Sequence, residues 1–252
     1  MRKIGRFGSG AFALFHAAGM LVFAPAAPVS GQETPPGEAV DGARILELAR
    51  SSYALQDYKL NGHMWRGIGI KRTPFSLTME GGAVRFQFKD PLQIVLLKME
   101  NAGASLYERV GDEVAEVPTE RYGQRVRGFD LSYEDLAMRF LYWPMAQWLG
   151  DETVSTRRCW KLEVRNPDGF GSYERVLLWI EQGGGALMRM QGFDAQDRLV
   201  RELKVRSVQQ IAGAWVLKLM RVERYDPESG KRLGMTYLEI EDGKKKKGLF
   251  KK

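Results

Sequence analysis

From Tyr58 to Ile240 turn residues recur about every 8 to 14 positions, and between them apolar side chains alternate with polar ones. A period of two marks a strand with one face on a core and one on water. Leu60, Met64, Ile68 and Ile70 share one parity, with Trp65 on the other. Phe75, Leu77 and Met79 lead to Gly81-Gly82, and Val84, Phe86 and Phe88 lead to Asp90-Pro91. Leu92 to Met99 is a continuous apolar run, which predicts a strand covered on both sides or slightly out of step with its neighbours. After a turn at Asn101–Gly103, Leu106 to Val117 continues the meander. Later, Trp160, Leu162 and Val164 alternate with Lys161, Glu163 and Arg165, and strands are expected over 173–181, 187–193, 199–208, 215–225 and 233–240. Glycine, proline, asparagine or aspartate marks the boundaries, as hairpins require. The rhythm predicts a mainly β (α+β) fold, with a single strongly curved antiparallel sheet or incomplete barrel. Neither a sequence repeat nor an internal linker marks a second domain.

Two stretches break the alternation. Residues 39–54 place Ile45, Leu46, Ala49 and Tyr53 near helical spacing, which predicts an amphipathic helix docked on the concave face of the sheet. Residues 127–150 form a short, very apolar insert. Ser132 is a good N-cap, and Asp135 three residues on makes an acidic variant of the capping box. Leu136, Phe140 and Trp143 follow at helical spacing, Pro144 ends or kinks the helix, and Met145, Trp148 and Leu149 form a second apolar patch. This insert is the candidate cover for the concave face.

The net charge of +7 is local in origin. Arg2, Lys3 and Arg6 lie at the start, and Lys244, Lys245, Lys246, Lys247, Lys251 and Lys252 at the end; taking these nine from +7 leaves −2 for the body. A nucleic-acid partner therefore has no support from charge. Residues 1–31 read as a cleaved signal peptide, with a basic start, an apolar stretch from Phe7 to Phe23 and a small-residue end. Cleavage fits after Gly31 or after Ala26. The expected organisation is a signal peptide over 1–31, a polar leader over 32–42, a half-barrel domain over 43–243 and a Lys-rich tail over 244–252. The lone Cys159 excludes an internal disulfide and reads as a buried thiol.

Catalytic sets are missing from this pattern. His63 is the one histidine beyond the signal region, with no cysteine beside it, so neither a zinc site nor a Ser/His/Asp set can be assembled, and no cofactor is expected. Asp130, Glu134 and Asp135 read as capping and helix-dipole residues, and Gly183-Gly184-Gly185 as a hairpin turn. The Lys tail is either a solvated end or a contact to an anionic membrane through Lys244, Lys245, Lys246 and Lys247. The apolar surplus is either an ordinary core or the lining of a cavity for a greasy ligand. The candidate lining is Leu136, Phe140, Trp143, Met145, Trp148, Trp160, Leu162, Met188, Met190, Leu203 and Val205. Met188 and Met190 lie two apart on one strand and are expected to share the concave face, under Phe140 and Trp143.

The segments Gly128–Leu136 (GFDLSYEDL), Tyr173–Ile180 (YERVLLWI) and Phe193–Val200 (FDAQDRLV) resemble those of the LolA-like outer-membrane lipoprotein-sorting family. Ile211–Trp215 is similar to that family's Gly-x-Trp before a long strand. In the Gly128–Leu136 segment Phe129 stands where the family usually has serine. The resemblance spans about residues 40–242 and implies an incomplete barrel with helices over its open side. It also implies a non-enzymatic periplasmic carrier for acylated lipoproteins or lipids, working with an inner-membrane exporter. The competing expectation is a non-carrying interaction or envelope-stress regulatory module on the same fold.

Overall fold

The structure, a computed structural model, describes residues 40–54, 58–68, 71–100, 103–211 and 214–241. The expected signal peptide, most of the leader, the Lys-rich tail and Ile70 lie outside the described residues.

Asp41 opens the first helix, α1 (Gly42–Ala54), its Oδ1 accepting from the Ala43 backbone N–H at 2.9 Å. A first meander follows: β1 (Tyr58–Arg66), β2 (Thr73–Glu80), β3 (Ala83–Phe88), β4 (Gln93–Glu100), β5 (Gly103–Val110) and β6 (Glu113–Glu116). A second contains β7 (Gln147–Val154), β8 (Arg157–Arg165), β9 (Arg175–Glu181), β10 (Leu187–Phe193), β11 (Leu199–Ile211), β12 (Ala214–Tyr225) and β13 (Arg232–Ile240). All thirteen strands of the described residues form one antiparallel sheet in the order β6-β5-β4-β3-β2-β1-β13-β12-β11-β10-β9-β8-β7. The two meanders meet at β1 and β13, where Gly62 faces Ile240 and Arg66 faces Thr236.

This order makes β6 and β7 the two edges of an unclosed sheet, so the intervening residues 117–146 must travel from one edge to the other. Along the way Val126, Phe129, Leu131, Phe140 and Leu141 are buried against the same core as Met64, Phe75, Val95, Leu162 and Leu178 of the sheet. The insert is thus packed over one face of the sheet as its cover.

Three local expectations need correction. The insert is not one helix from Ser132 to Trp143. The capping box forms, with the Asp135 N–H donating to Ser132 Oγ and the Ser132 N–H donating to Asp135 Oδ2, but α2 (Tyr133–Ala137) stops at Met138, which is left-handed at φ 47°. A separate 3-10 turn follows over Arg139–Tyr142. Every residue of α2 is buried, so packing and not helix propensity sets its length. Second, β4 is not covered on both sides: Val95 and Leu97 are buried, while Ile94 and Leu96 are half-exposed on the outer face. Third, the second apolar patch is not part of the cover: Trp148 and Leu149 lie in the edge strand β7.

Helix α1 buries Ile45, Leu46 and Ala49 in the main core. It seats partly on the insert and not on the sheet alone: Arg50 Nη1 donates to the Leu141 carbonyl at 2.6 Å, and its guanidinium lies over the Tyr142 ring. A Cβ on Gly42 would lie 2.2 Å from the Ala146 carbonyl oxygen, so only glycine allows this approach.

Candidate functional site: an apolar cavity under a tethered cover

Alternation puts Leu60, Leu77 and Met79 of the first meander and Leu203, Val216 and Leu238 of the second on the concave face. Leu131, Leu136 and Met138 of the insert face them. Between these layers lies a cavity of about 150 Å³ whose polar lining residues are Asp135, Arg189 and Lys204. Methionines 79, 138, 188, 190 and 220 all reach its wall. Their unbranched side chains can change rotamer to fit irregular apolar ligands.

Of the residues proposed from sequence, Leu136, Met188, Met190, Leu203 and Val205 line the cavity. Phe140, Trp143 and Leu162 are buried in the surrounding core, and Trp160 is half-buried against it. They support the wall and do not line it. Met145 and Trp148 are corrected: Met145 is 87 % exposed, and Trp148 sits on the edge strand with its indole N–H donating to Asp151. Met145 lies in the loop before β7, and Trp148 lies on a strand with a neighbour on one side only, so neither is covered. Met188 and Met190 both reach the cavity, but a bulge between Leu187 and Arg189 divides them. Met190 joins the main core, and Met188 packs in a second cluster with Cys159, Trp179 and Val205. Leu60, Leu77 and Met79 were missed as lining residues, although their shared parity was the available signal.

The cover is tied down by buried charge. Asp130 is fully buried; its backbone N–H donates to Thr236 Oγ1 at 2.9 Å, and its carboxylate accepts from Arg224 Nε at 3.1 Å and from the Thr236 hydroxyl at 3.1 Å. Asp135 Oδ1 accepts from the Tyr173 hydroxyl at 2.6 Å, and Arg201 Nε lies 3.6 Å from its Oδ2. Arg201 and Arg224 are direct cross-strand partners on β11 and β12. Two like charges so placed repel, and the two aspartates from the cover neutralise them. Burial disfavours the Arg201 charge, but Asp135 and Tyr173 outweigh it and hold the pKa above the usual arginine value.

Glycines make room for this network. Gly192 of β10 faces Arg201, and Gly234 of β13 faces Arg224. A Cβ on Gly192 would lie 2.5 Å from the Tyr173 ring, and one on Gly234 would lie 2.3 Å from Asp130 Oδ1. The first-turn carboxylates are therefore more than caps. Asp135 is a cap and a tether at once, and Asp130 is a tether alone.

Two further carboxylates anchor the same segment. Glu108 of β5 accepts from the Tyr133 hydroxyl, from Gln93 Nε2 at 2.6 Å and from Arg121 Nη2 at 2.8 Å. Burial alone would raise its pKa, and these donors more than reverse that. Glu134 is buried; its Oε2 accepts from the Ser172 backbone N–H at 2.7 Å, while Oε1 has no hydrogen-bond partner. Burial pushes its carboxyl up to about 7, with the Asp135 charge adding to the effect. Among the described residues, no group of three His, Cys, Asp or Glu side chains is placed to hold a metal.

An open antiparallel sheet with a helical cover over an apolar concavity defines the LolA-like half-barrel class, and known structures share it. A domain classed as an outer-membrane lipoprotein-sorting protein from Vibrio parahaemolyticus has a TM-score of 0.62 at 16 % identity, covering 80 % of this chain and 92 % of that one. A DUF1329 family protein from Desulfovibrio piger gives 0.60 at 19 %, with 80 % and 92 % covered. A LolA superfamily protein from Nitrosomonas europaea gives 0.59 at 19 %, with 81 % and 93 % covered. No curated protein matches the sequence. A family described as "Uncharacterized protein" has a model that matches residues 98–252, and the chain belongs to that family.

Proposed function

We propose that this protein is a periplasmic carrier that holds the acyl chain of a lipid or lipoprotein between the concave sheet and the insert. The apolar cavity carries this reading. Its location under a separate, charge-tethered segment favours a ligand space over a packing defect. A 150 Å³ apolar cavity is the size that admits a benzene-sized guest, whereas whole ligands take about 300–1,000 Å³. The described conformation is therefore a closed form, and loading a chain requires the insert to lift. Each buried methylene then contributes about 0.8 kcal/mol, offset in part by the cost of ordering chain and cover. An inner-membrane exporter is the proposed donor. Lys244, Lys245, Lys246 and Lys247 would add attraction to an anionic membrane during transfer.

Val205 lines the cavity, so Val205→Phe should fill part of it. Binding of a fluorescent fatty acid should fall at least about tenfold, a loss of about two methylenes' worth of burial, while thermal unfolding stays within a few degrees. A folded variant with undiminished binding would reject this site. Native mass spectrometry of protein purified from envelopes separates a carrier, which retains lipid or acylated peptide, from a non-carrying interaction module, which does not.

A further inference from the structure

The outer face of the first meander carries a second concavity, separate from the apolar one. It has a volume of about 630 Å³ and lies on β1 to β4. Antiparallel register places Lys59, Thr78 and Arg85 in one row across three adjacent strands, with Asn61 opposite Ser76 in the next row. Neighbouring strands are about 4.8 Å apart, so the two cations stand about 10 Å apart at their Cα atoms with the threonine hydroxyl between them. Both are long enough to converge on one group bound above Thr78.

What marks this groove is two cations, unpaired among the described residues, brought into one row within a concavity. Several arginines of the second meander are matched instead: Arg175 to Glu163 and Asp197, Arg189 to Glu202, and Arg221 and Arg232 to Glu223. Lys59 and Arg85 have no side-chain hydrogen bond or ion pair among the described residues. One carboxylate, Glu80, also lines the groove, and it is not within ion-pair distance of either cation. Two cations, unmatched among the described residues, that flank hydroxyl and amide donors form the donor set that recognises a phosphate oxygen cluster. The volume exceeds what a lone phosphate needs and leaves room for the polar group that bears it.

We infer that this groove binds a phosphate-bearing polar group, held by Lys59 and Arg85 with Ser76, Thr78 and Asn61 as hydroxyl and amide donors. The same chemistry occurs on a soluble phosphomonoester and on a phospholipid headgroup. The site is on the opposite face of the sheet from the acyl cavity and does not depend on it.

The full chain is titrated with glycerol 3-phosphate, and separately with phosphatidylcholine vesicles with and without phosphatidylglycerol, following backbone amide shifts and vesicle co-sedimentation. Shifts at Ser76 and Thr78 with the soluble ester assign a small-molecule site. Sedimentation that requires phosphatidylglycerol and falls in Lys59→Gln and Arg85→Gln, without response to the ester, assigns a headgroup site; phosphatidylglycerol-dependent sedimentation unchanged in both variants belongs to the Lys-rich tail and overturns the inference. In either arm Lys59→Gln and Arg85→Gln should each weaken binding about tenfold, while Lys231→Gln, an exposed cation elsewhere, leaves it unchanged. The inference is overturned if neither probe binds, if the shifts fall outside the groove, or if Lys231→Gln weakens binding as much as the groove variants do.

Discussion

Glu134 offers the sharpest test of the cover's packing. Its carboxyl is buried beneath the Gly171 backbone, one oxygen is satisfied by Ser172, and its pKa is lifted from an ordinary 4.5 to about 7. The folded chain therefore holds this proton more tightly than the unfolded chain. Below about pH 4.5 both forms are protonated and the full benefit of the neutral, buried acid is present. As pH rises the unfolded chain releases its proton first, so stability falls until the folded form also ionises near pH 7. The gap between 4.5 and about 7 is worth about 3 kcal/mol. Glu134→Gln keeps an oxygen for Ser172 and removes the titration. Urea denaturation followed by tryptophan fluorescence, at about pH 4 and about pH 8.5, measures the stability of both proteins. The variant should gain about 3 kcal/mol on the native protein between those two pH values, whatever fixed cost the amide brings. Because both proteins share every other carboxylate, the other titrations cancel in the difference. A difference that does not move with pH would show that Glu134 is already ionised and solvated in the folded chain, and the tight packing of the cover described above would be refuted.

Two other outcomes follow from the same geometry. Asp130→Asn leaves Arg224 poorly neutralised beside Arg201 and should cost about 3 kcal/mol, with faster hydrogen exchange over residues 126–142 than in β11; unchanged exchange there would mean that Asp130 does not hold the cover. The Cys159 thiol is buried and pushed up to about 12, mainly by loss of hydration. Iodoacetamide should label it at the rate of global unfolding and not faster; rapid labelling of native protein would place it at the surface.

The strands were legible because one-sided burial forces a period of two, and that period survives in Leu60–Met64, Phe75–Met79 and Trp160–Val164. Their order was not. Any of these strands alternates well enough to pair with any other, and nothing local in Gly62 or Ile240 says that they are neighbours. The capping box was readable because Ser132 and Asp135 satisfy each other within one turn. The tether was not, since Asp130 finds Arg224 and Gly234 across the sheet. Isolated glycines inside strands do signal a close approach, and Gly192 and Gly234 were that signal. Met145 and Trp148 show the converse: apolar character marks a residue that can be buried, and its place in the fold, a loop for one and an edge strand for the other, decides whether it is.

The order of the strands also bears on synthesis. Among the described strands β13 is the last to be made, yet it occupies the middle of the sheet, between β1 and β12. Until residues 232–240 emerge, β1 presents a bare edge to any partner strand, and the two meanders have no sheet contact with each other. A stop codon before β13 would therefore not trim a margin. It would split the molecule along its centre, leaving two half-sheets with exposed edges and a cover spanning the gap. Chains interrupted there should aggregate, whereas the same number of residues lost from the β6 edge should leave the remaining twelve strands in register.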